Sequence, residues 1–229
     1  MDNVEREFSR NAKYYNEYNQ IQQEVVKDLL NGLENRPERV LDIGAGRGEV
    51  YSRIDWPLES FVAVDFSETM CNLHPKAPCV RVIQGDFNVS ETFALLKDES
   101  FDLICSASAL QWAKDLAFVF KQIAAFEKPV ALALFTSNTF SELHTTLGVN
   151  SPLHSKKAIE DEALRVFPQC RIFVKTYRLT FDSTQLMLNY IKRSGVSSGM
   201  KKLSVGELRK IIKADRLKSI EAEVVFIIS

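Results

Sequence analysis

No apolar run in these 229 residues approaches the roughly 18 that a membrane helix needs. The opening stretch, M-D-N-V-E-R-E-F-S-R, is charged throughout and has no apolar core of the kind a secretory signal carries. Both absences point to a cytosolic chain. Cysteine is scarce: neither Cys71, Cys79, Cys105 and Cys170 nor His74, His144 and His154 form a paired ligand motif, so we read the cysteines as buried thiols and expect no metal. Internal repeats, low-complexity tracts and linkers are missing too. What remains is 45% apolar and 26% charged residues with a formal charge of −1, the composition of one globular domain with a well-buried core.

Glycine is also sparse, with nine in the chain, yet three fall in one decapeptide, R-V-L-D-I-G-A-G-R-G from Arg39 to Gly48. Val40, Leu41 and Ile43 are strand formers with Asp42 among them, and Gly44, Gly46 and Gly48 require a sharp turn as the backbone leaves a buried strand. The glycines stand at i, i+2 and i+4, whereas a dinucleotide fingerprint puts them at i, i+2 and i+5. A nucleoside without phosphates fits such a loop better.

Around this loop the chain alternates strand and helix. An arm containing Phe8, Tyr14, Tyr15 and Tyr18 precedes a helical stripe of Ile21, Val25, Leu29 and Leu33. The tyrosines either pack half-buried with wet hydroxyls or close the ligand pocket. Continuous apolar runs at Val40–Ile43, Phe61–Asp65, Val80–Ile83, Phe101–Ser106 and Val130–Phe135 predict five strands buried on both faces of a parallel sheet. Ser67, Ser90 and Asp115 are plausible N-caps, the last followed by the apolar face of Leu116, Val119, Phe120, Ile123 and Phe126. Capping boxes at Thr139 with Glu142 and at Ser204 with Glu207 predict added helices, Leu186, Met187, Tyr190 and Ile191 a further helix face, and Arg171–Phe181 and Val224–Ile228 two closing strands. The expectation is a doubly wound, mostly parallel α/β sheet of seven strands, with helical insertions after the fifth and sixth folding over the ligand edge.

Acidic residues at successive strand ends outline the ligand. Asp65 ends the second strand, 23 residues after Asp42, where a carboxylate can accept from both hydroxyls of a ribose. Asp86, in Q-G-D-F after the third strand, is placed to accept from an adenine amino group, with Phe66 and Phe87 available to sandwich the base. Any one of these aspartates alone is more simply a turn former. Together they argue for a nucleoside.

The segments L-D-I-G-A-G-R-G, A-V-D-F-S, Q-G-D-F and F-D-L-I-C-S resemble, in order, the motifs of class I S-adenosylmethionine-dependent methyltransferases, over Arg39 to about Phe135. The resemblance implies a Rossmann-like methyltransferase sheet, S-adenosylmethionine as cofactor and S-adenosylhomocysteine as product. It implies that the loop of Gly44, Gly46 and Gly48 approaches the methionine portion, that Asp65 binds ribose and Asp86 adenine, and that Ser106 lies beside the sulfonium. E-K-P-V-A before the fifth strand departs from it, since many relatives carry a glycine pair there.

F-S-R-N-A-K-Y-Y-N, S-A-L-Q-W, F-T-S-N-T-F-S-E-L and Y-I-K-R-S-G-V resemble more narrowly the malonyl-acyl-carrier-protein O-methyltransferases of biotin synthesis, matched at Phe8, Arg10, Ala12, Tyr15, Gln22, Gln111 and Trp112. Asn11 and Asn16 depart from the alanine and aspartate of that pattern. The resemblance divides the single domain into an arm and helix (1–38), a cofactor core (39–135) and substrate-side insertions with closing strands (136–229). The implied reaction esterifies the free carboxylate of a malonyl thioester on a carrier protein.

No catalytic dyad is evident, and none is required. A carboxylate, with a pKa near ~4, is already ionised at pH 7 and attacks a sulfonium methyl without a general base. Arg193, with Arg10 second, is the candidate cation for the acceptor, and Tyr15 a candidate for positioning it; either arginine has a surface salt-bridge role as its rival, and Tyr15 half-buried packing. From 190 to 218 nine basic side chains stand against two acidic ones, a balance that suits an acidic carrier protein as well as a solvated helix face. With few aromatics in that segment, nucleic acid is disfavoured. S-A-S-A-L after the fourth strand is neither the N-P-P-Y-like turn of amino-directed base methyltransferases nor a Pro-Cys nucleophile. A trans-aconitate-like small-acid methyltransferase and a non-catalytic cofactor-binding sensor remain as alternatives.

Overall fold

The computed structural model describes residues 19–193 and 205–229. Helix α1 (Gln20–Asn31) leads to strand β1 (Arg39–Ile43), and then α2 (Glu49–Arg53), β2 (Ser60–Asp65), α3 (Glu68–Leu73), β3 (Val80–Gln84), α4 (Ser90–Ala94) and β4 (Leu103–Ala107) follow. After a short turn at Leu110–Trp112 come α5 (Leu116–Ala124) and β5 (Val130–Phe135). The second half adds α6 (Ser141–Leu147), α7 (Lys156–Val166), β6 (Arg171–Thr180), α8 (Thr184–Arg193), α9 (Val205–Ala214) and β7 (Ser219–Ile228).

The seven strands form one sheet in the order β3-β2-β1-β4-β5-β7-β6. Strands β1 to β5 run parallel, and β7 lies antiparallel between β5 and β6. This is the expected doubly wound α/β fold, with two described helices inserted after β5 and two after β6. The order reverses between β1 and β4, and in open α/β sheets the crevice beyond the strand ends at such a reversal is where ligands bind.

The continuous apolar runs have a direct cause in the layers. Val40, Phe61 and Ala63 enter a core on one face with Val25 and Leu29 of α1 and Met187, Tyr190 and Ile191 of α8. Leu41, Val62 and Val64 point to the other face, into a core with Val119, Phe120 and Ile123 of α5 and Ile159 of α7. Strands sandwiched this way cannot alternate with polar residues. Each fully buried side chain of the α5 face contributes about 1.5–3 kcal/mol relative to exposure, which explains why that helix was legible as an apolar stripe. Phe126, just past its end, packs edge-on against Phe101 with centroids 5.8 Å apart. At the opposite end of the sheet, Arg39 pairs with Asp102 at 2.6 Å and so pins the start of β1 beside β4.

Several local expectations are corrected. Ser67 and Asp115 do cap, accepting from the backbone N–H of Met70 and Phe118. Ser90 does not, because Val89 holds the cap position and the Ser90 hydroxyl turns to Glu91. The Thr139–Glu142 box also fails to form: helix α6 starts from Phe140, at φ 60°, while the Thr139 hydroxyl donates to the Glu223 carbonyl of β7. Ser204 of the second box lies outside the described residues. Leu186 faces outward at 50% exposure. Only Cys105 is buried; Cys71, Cys79 and Cys170 are half-buried, and all four are free thiols.

The departure at E-K-P-V-A has a backbone signature. Glu127, exposed after α5, sits at φ 54°, in the left-handed region that glycine enters without steric cost. Glu127→Gly is therefore expected to raise stability to chemical denaturation by about 0.5–1 kcal/mol. An unchanged or lowered midpoint would show that side-chain contacts, not backbone freedom, govern this turn.

Candidate active site

A cleft opens where the C-terminal ends of β2, β1 and β4 meet. The loop after β1 contributes Gly44, Ala45, Gly46 and Arg47, the end of β2 contributes Asp65 and Phe66, and α3 contributes Met70. Phe87 enters from beyond β3, Ala107, Ser108, Ala109 and Trp112 from the end of β4, and Gln22 and Val26 of α1 close one wall. Gly44 and Ala45 donate to the Val64 carbonyl at 2.8 and 3.0 Å, which continues the β1–β2 ladder into the loop. Gly44 stands at φ 75°, and a Cβ there would lie 2.2 Å from the Ala109 Cβ, so glycine lets the β1 and β4 turns touch. Gly46 differs: at φ 55° a Cβ would meet nothing within 4 Å, leaving bare backbone facing open space.

Asp65 ties this loop together. Its Oδ2 accepts from the Gly46 N–H at 2.8 Å and its Oδ1 from the Ser67 N–H at 2.9 Å. Burial pushes its pKa up to about 6, against the two amide bonds that favour the charge. Beneath it lies Asp42, 1% exposed, with no partner at hydrogen-bond geometry for either oxygen. Desolvation, and then the neighbouring Asp65, push Asp42 up to about 8, while the weakly donating Cys105 thiol pulls slightly the other way. Asp42 thus keeps its proton at neutral pH, and of the two carboxyl groups it is Asp65 that lines the cleft.

The sequence-predicted residues divide into two groups. Gly44, Gly46, Asp65, Phe66 and Phe87 come together around the cleft. Asp42 is buried and does not line it. Gly48, Asp86 and Ser106 do not line it. Gly48 packs against His74 and Pro75 at the end of α3, and Asp86 Oδ1 accepts from the Asn88 backbone and side chain at 2.9 and 2.8 Å. The Ser106 hydroxyl is engaged inside the sheet, donating to the Ile43 carbonyl at 2.6 Å. Tyr15 and Arg10 lie outside the described residues, and Arg193 is described only as the last residue of α8. Sequence reasoning missed Arg47, Met70 and Ser108. Met70 could have been found from its place one helical turn after the Ser67 cap, whereas nothing in the sequence singled out Ser108.

A profile of the methyltransferase domain matches residues 41–135, the span from β1 through β5. Over 207 residues the chain is 31% identical to the malonyl-[acyl-carrier protein] O-methyltransferase of Porphyromonas gingivalis, covering 85% of this chain and 78% of that protein. The chain belongs to the class I S-adenosylmethionine-dependent methyltransferases. The fold of this methyltransferase matches that of the YcgJ protein from Bacillus subtilis with a TM-score of 0.64, at 16% identity over 90% of this chain and 98% of that one. A phosphoethanolamine N-methyltransferase of Haemonchus contortus, solved with S-adenosylhomocysteine, aligns with a TM-score of 0.52 at 17% identity, over 90% of this chain and 52% of its own. The methyl donor is S-adenosylmethionine, and the cleft fits it: the Asp65 and Glu49 carboxylates in its lining suit a ligand bearing a sulfonium and an ammonium, and the open backbone at Gly46 leaves room for it. No helix among the described residues is long and apolar enough to cross a membrane.

The carboxylate pair makes the cofactor-free methyltransferase sensitive to pH. Folded Asp42 keeps its proton up to about pH 8, whereas unfolded it releases it near the ordinary 3.8. The stability from this raised pKa is complete below the unfolded value and is lost as pH climbs through the folded one. Asp65 adds the same sign up to about pH 6. Thermal unfolding from pH 4 to 8 is expected to show wild type losing stability relative to Asp42→Asn as pH rises. Parallel profiles would contradict the assignment.

Proposed function

We propose that this methyltransferase esterifies the free carboxylate of a malonyl thioester on acyl-carrier protein, in the pimeloyl branch of biotin synthesis. The observation that carries the reading is the 31% identity to a protein of that name across 85% of the chain, well beyond the 41–135 span shared with methyltransferases in general. The cofactor supplies an electrophilic methyl group on sulfur. The chain's own residues then have three tasks.

The first is to hold the nucleoside. Asp65 accepts from the ribose hydroxyls with the lone pairs its amide bonds leave free, Phe66 and Phe87 enclose the base, and Asp86, bonded to Asn88 outside the lining, holds the turn that carries Phe87. Ser106, locked to β1, keeps the tip of β4 beside the Gly44 loop. The second is to exclude water, to which Gln22, Val26 and Trp112 contribute from the cleft walls, because a carboxylate stripped of water attacks more readily. The third is to place the acceptor in line with the methyl group, the role assigned to Arg193 and Tyr15. An ionised carboxylate then needs proximity and no base.

The basic segment 190–218 supports the carrier protein as partner. Within it Arg209, Lys210 and Lys213 of α9 are exposed, as is Arg216 after it, while Lys218 pairs with Asp215 at 2.9 Å. Lys201 and Lys202 lie outside the described residues. Such a face steers an acidic protein by long-range attraction, and steering acts mainly on the association rate.

An assay with radiolabelled S-adenosylmethionine separates the readings. Label on malonyl-carrier protein above malonyl-coenzyme A is expected. Label on free dicarboxylic acids alone would favour a small-acid methyltransferase, and label on nothing would favour a sensor. In the same assay, Lys210→Glu with Lys213→Glu is expected to lower kcat/KM for the carrier-bound substrate roughly tenfold at low salt. The coenzyme A thioester should lose less. Equal losses on both would count against docking through α9.

A further inference from the structure

Four described residues other than glycine have positive φ: Ser108, Glu127, Phe140 and Asp215. Of these only Ser108, at φ 62°, lines the cleft. Its backbone is fixed from two directions, by its own N–H donating to the Ala133 carbonyl of β5 at 2.9 Å and by the Gln111 Nε2 donating to its carbonyl at 2.7 Å. Its neighbour Ala109 is the residue that Gly44 abuts. The turn is thus over-determined, which is the condition under which a strained backbone persists. Glycine would satisfy the backbone at this position, yet the chain carries a hydroxyl there, and Ser108 Oγ is buried without a partner among the described residues. A buried hydroxyl with no partner is unfavourable in the folded protein alone and becomes favourable when a ligand supplies an acceptor.

The order of the strand tips says which ligand. Asp65 and Phe66 mark the nucleoside end at β2, the Gly44–Gly46 backbone lies at β1, and Ser108 lies at β4, the far end of that line. With the ribose at Asp65, the reacting end of the cofactor and the incoming acceptor meet near β4. From this juxtaposition we infer that Ser108 is a substrate-contacting residue whose hydroxyl donates to one oxygen of the acceptor carboxylate, leaving the other free to attack. A neutral donor suits this role, because it orients the carboxylate without neutralising its charge. The inference rests on the carboxyl-methylation reading above.

Ser108→Ala and Ser108→Gly test it together, on the malonyl thioester that the wild-type protein methylates. Both are expected to lower kcat/KM for that acceptor by roughly ten- to a hundredfold, the loss typical of a hydrogen bond to a charged group, with S-adenosylhomocysteine affinity by calorimetry unchanged. Ser108→Gly, freed of the strained backbone, should also unfold a few degrees higher, so its lost activity could not be put down to a damaged fold. Full activity in both variants, or weakened S-adenosylhomocysteine binding with the acceptor KM unmoved, overturns the assignment while leaving carboxyl methylation standing. A wild-type protein that methylates no carboxylate overturns both.

Discussion

One carboxylate joining two backbone amides holds the site together. Asp65 at the tip of β2 accepts from Gly46 in the loop after β1 and from Ser67 at the start of α3, so the ends of two strands and a helix cap move as a unit. The loop after β1 is held through its own backbone N–H groups, at Gly44, Ala45 and Gly46. It can therefore present bare backbone to a ligand, and the parallel ladder that ends in Gly44 and Ala45 donating to Val64 determines where it stands. Asp42, buried next to Asp65 with its charge suppressed by desolvation, does not line the cleft. A cleft lined by the Asp65 and Glu49 carboxylates and by the rings of Phe66, Phe87 and Trp112 is chemically matched to a cationic nucleoside.

The two halves of the chain are built for different tasks. The inner parallel strands carry rigid contacts, with β1, β2, β4 and β5 buried along most of their length. The insertions after β5 and β6 carry exposed charge, and α9 displays its lysines to solvent. Cofactor chemistry common to many methyltransferases falls on the first half, and the choice of acceptor, as we propose it, on the cleft wall at β4 and the basic helix. The halves are tied on the antiparallel side, where β5 pairs with β7 from Ala131 opposite Ile228 to Phe135 opposite Val224.

The inner sheet was legible because burial on both faces forces unbroken apolar runs, as in β1, β2, β4 and β5, whereas the edge strands β3 and β6 are half-exposed and carry Arg81, Lys175 and Arg178. Capping was less legible. Thr139 has the residue type and spacing of a cap, but a carbonyl brought close by the β5–β7 pairing competes for its hydroxyl, and pairing between distant segments leaves no local sequence mark. The site shows the same division. Asp65 could be placed from strand length alone, because a residue ending a parallel strand must reach the ligand edge. Ser106 and Ser108 are indistinguishable in S-A-S-A-L. Only the path of the turn shows that one hydroxyl is locked inside the sheet and the other, on a residue that lines the cleft, is buried without a partner.

The most direct test of this account is the affinity of S-adenosylhomocysteine for Asp65→Ala, measured by calorimetry on protein whose circular dichroism matches wild type. Loss of the ribose acceptor and of the Gly46 tether together predict a dissociation constant raised at least roughly tenfold. An affinity equal to that of wild type would mean that the nucleoside does not rest on Asp65, and the placement of ligand, methyl group and acceptor along the strand tips would be wrong.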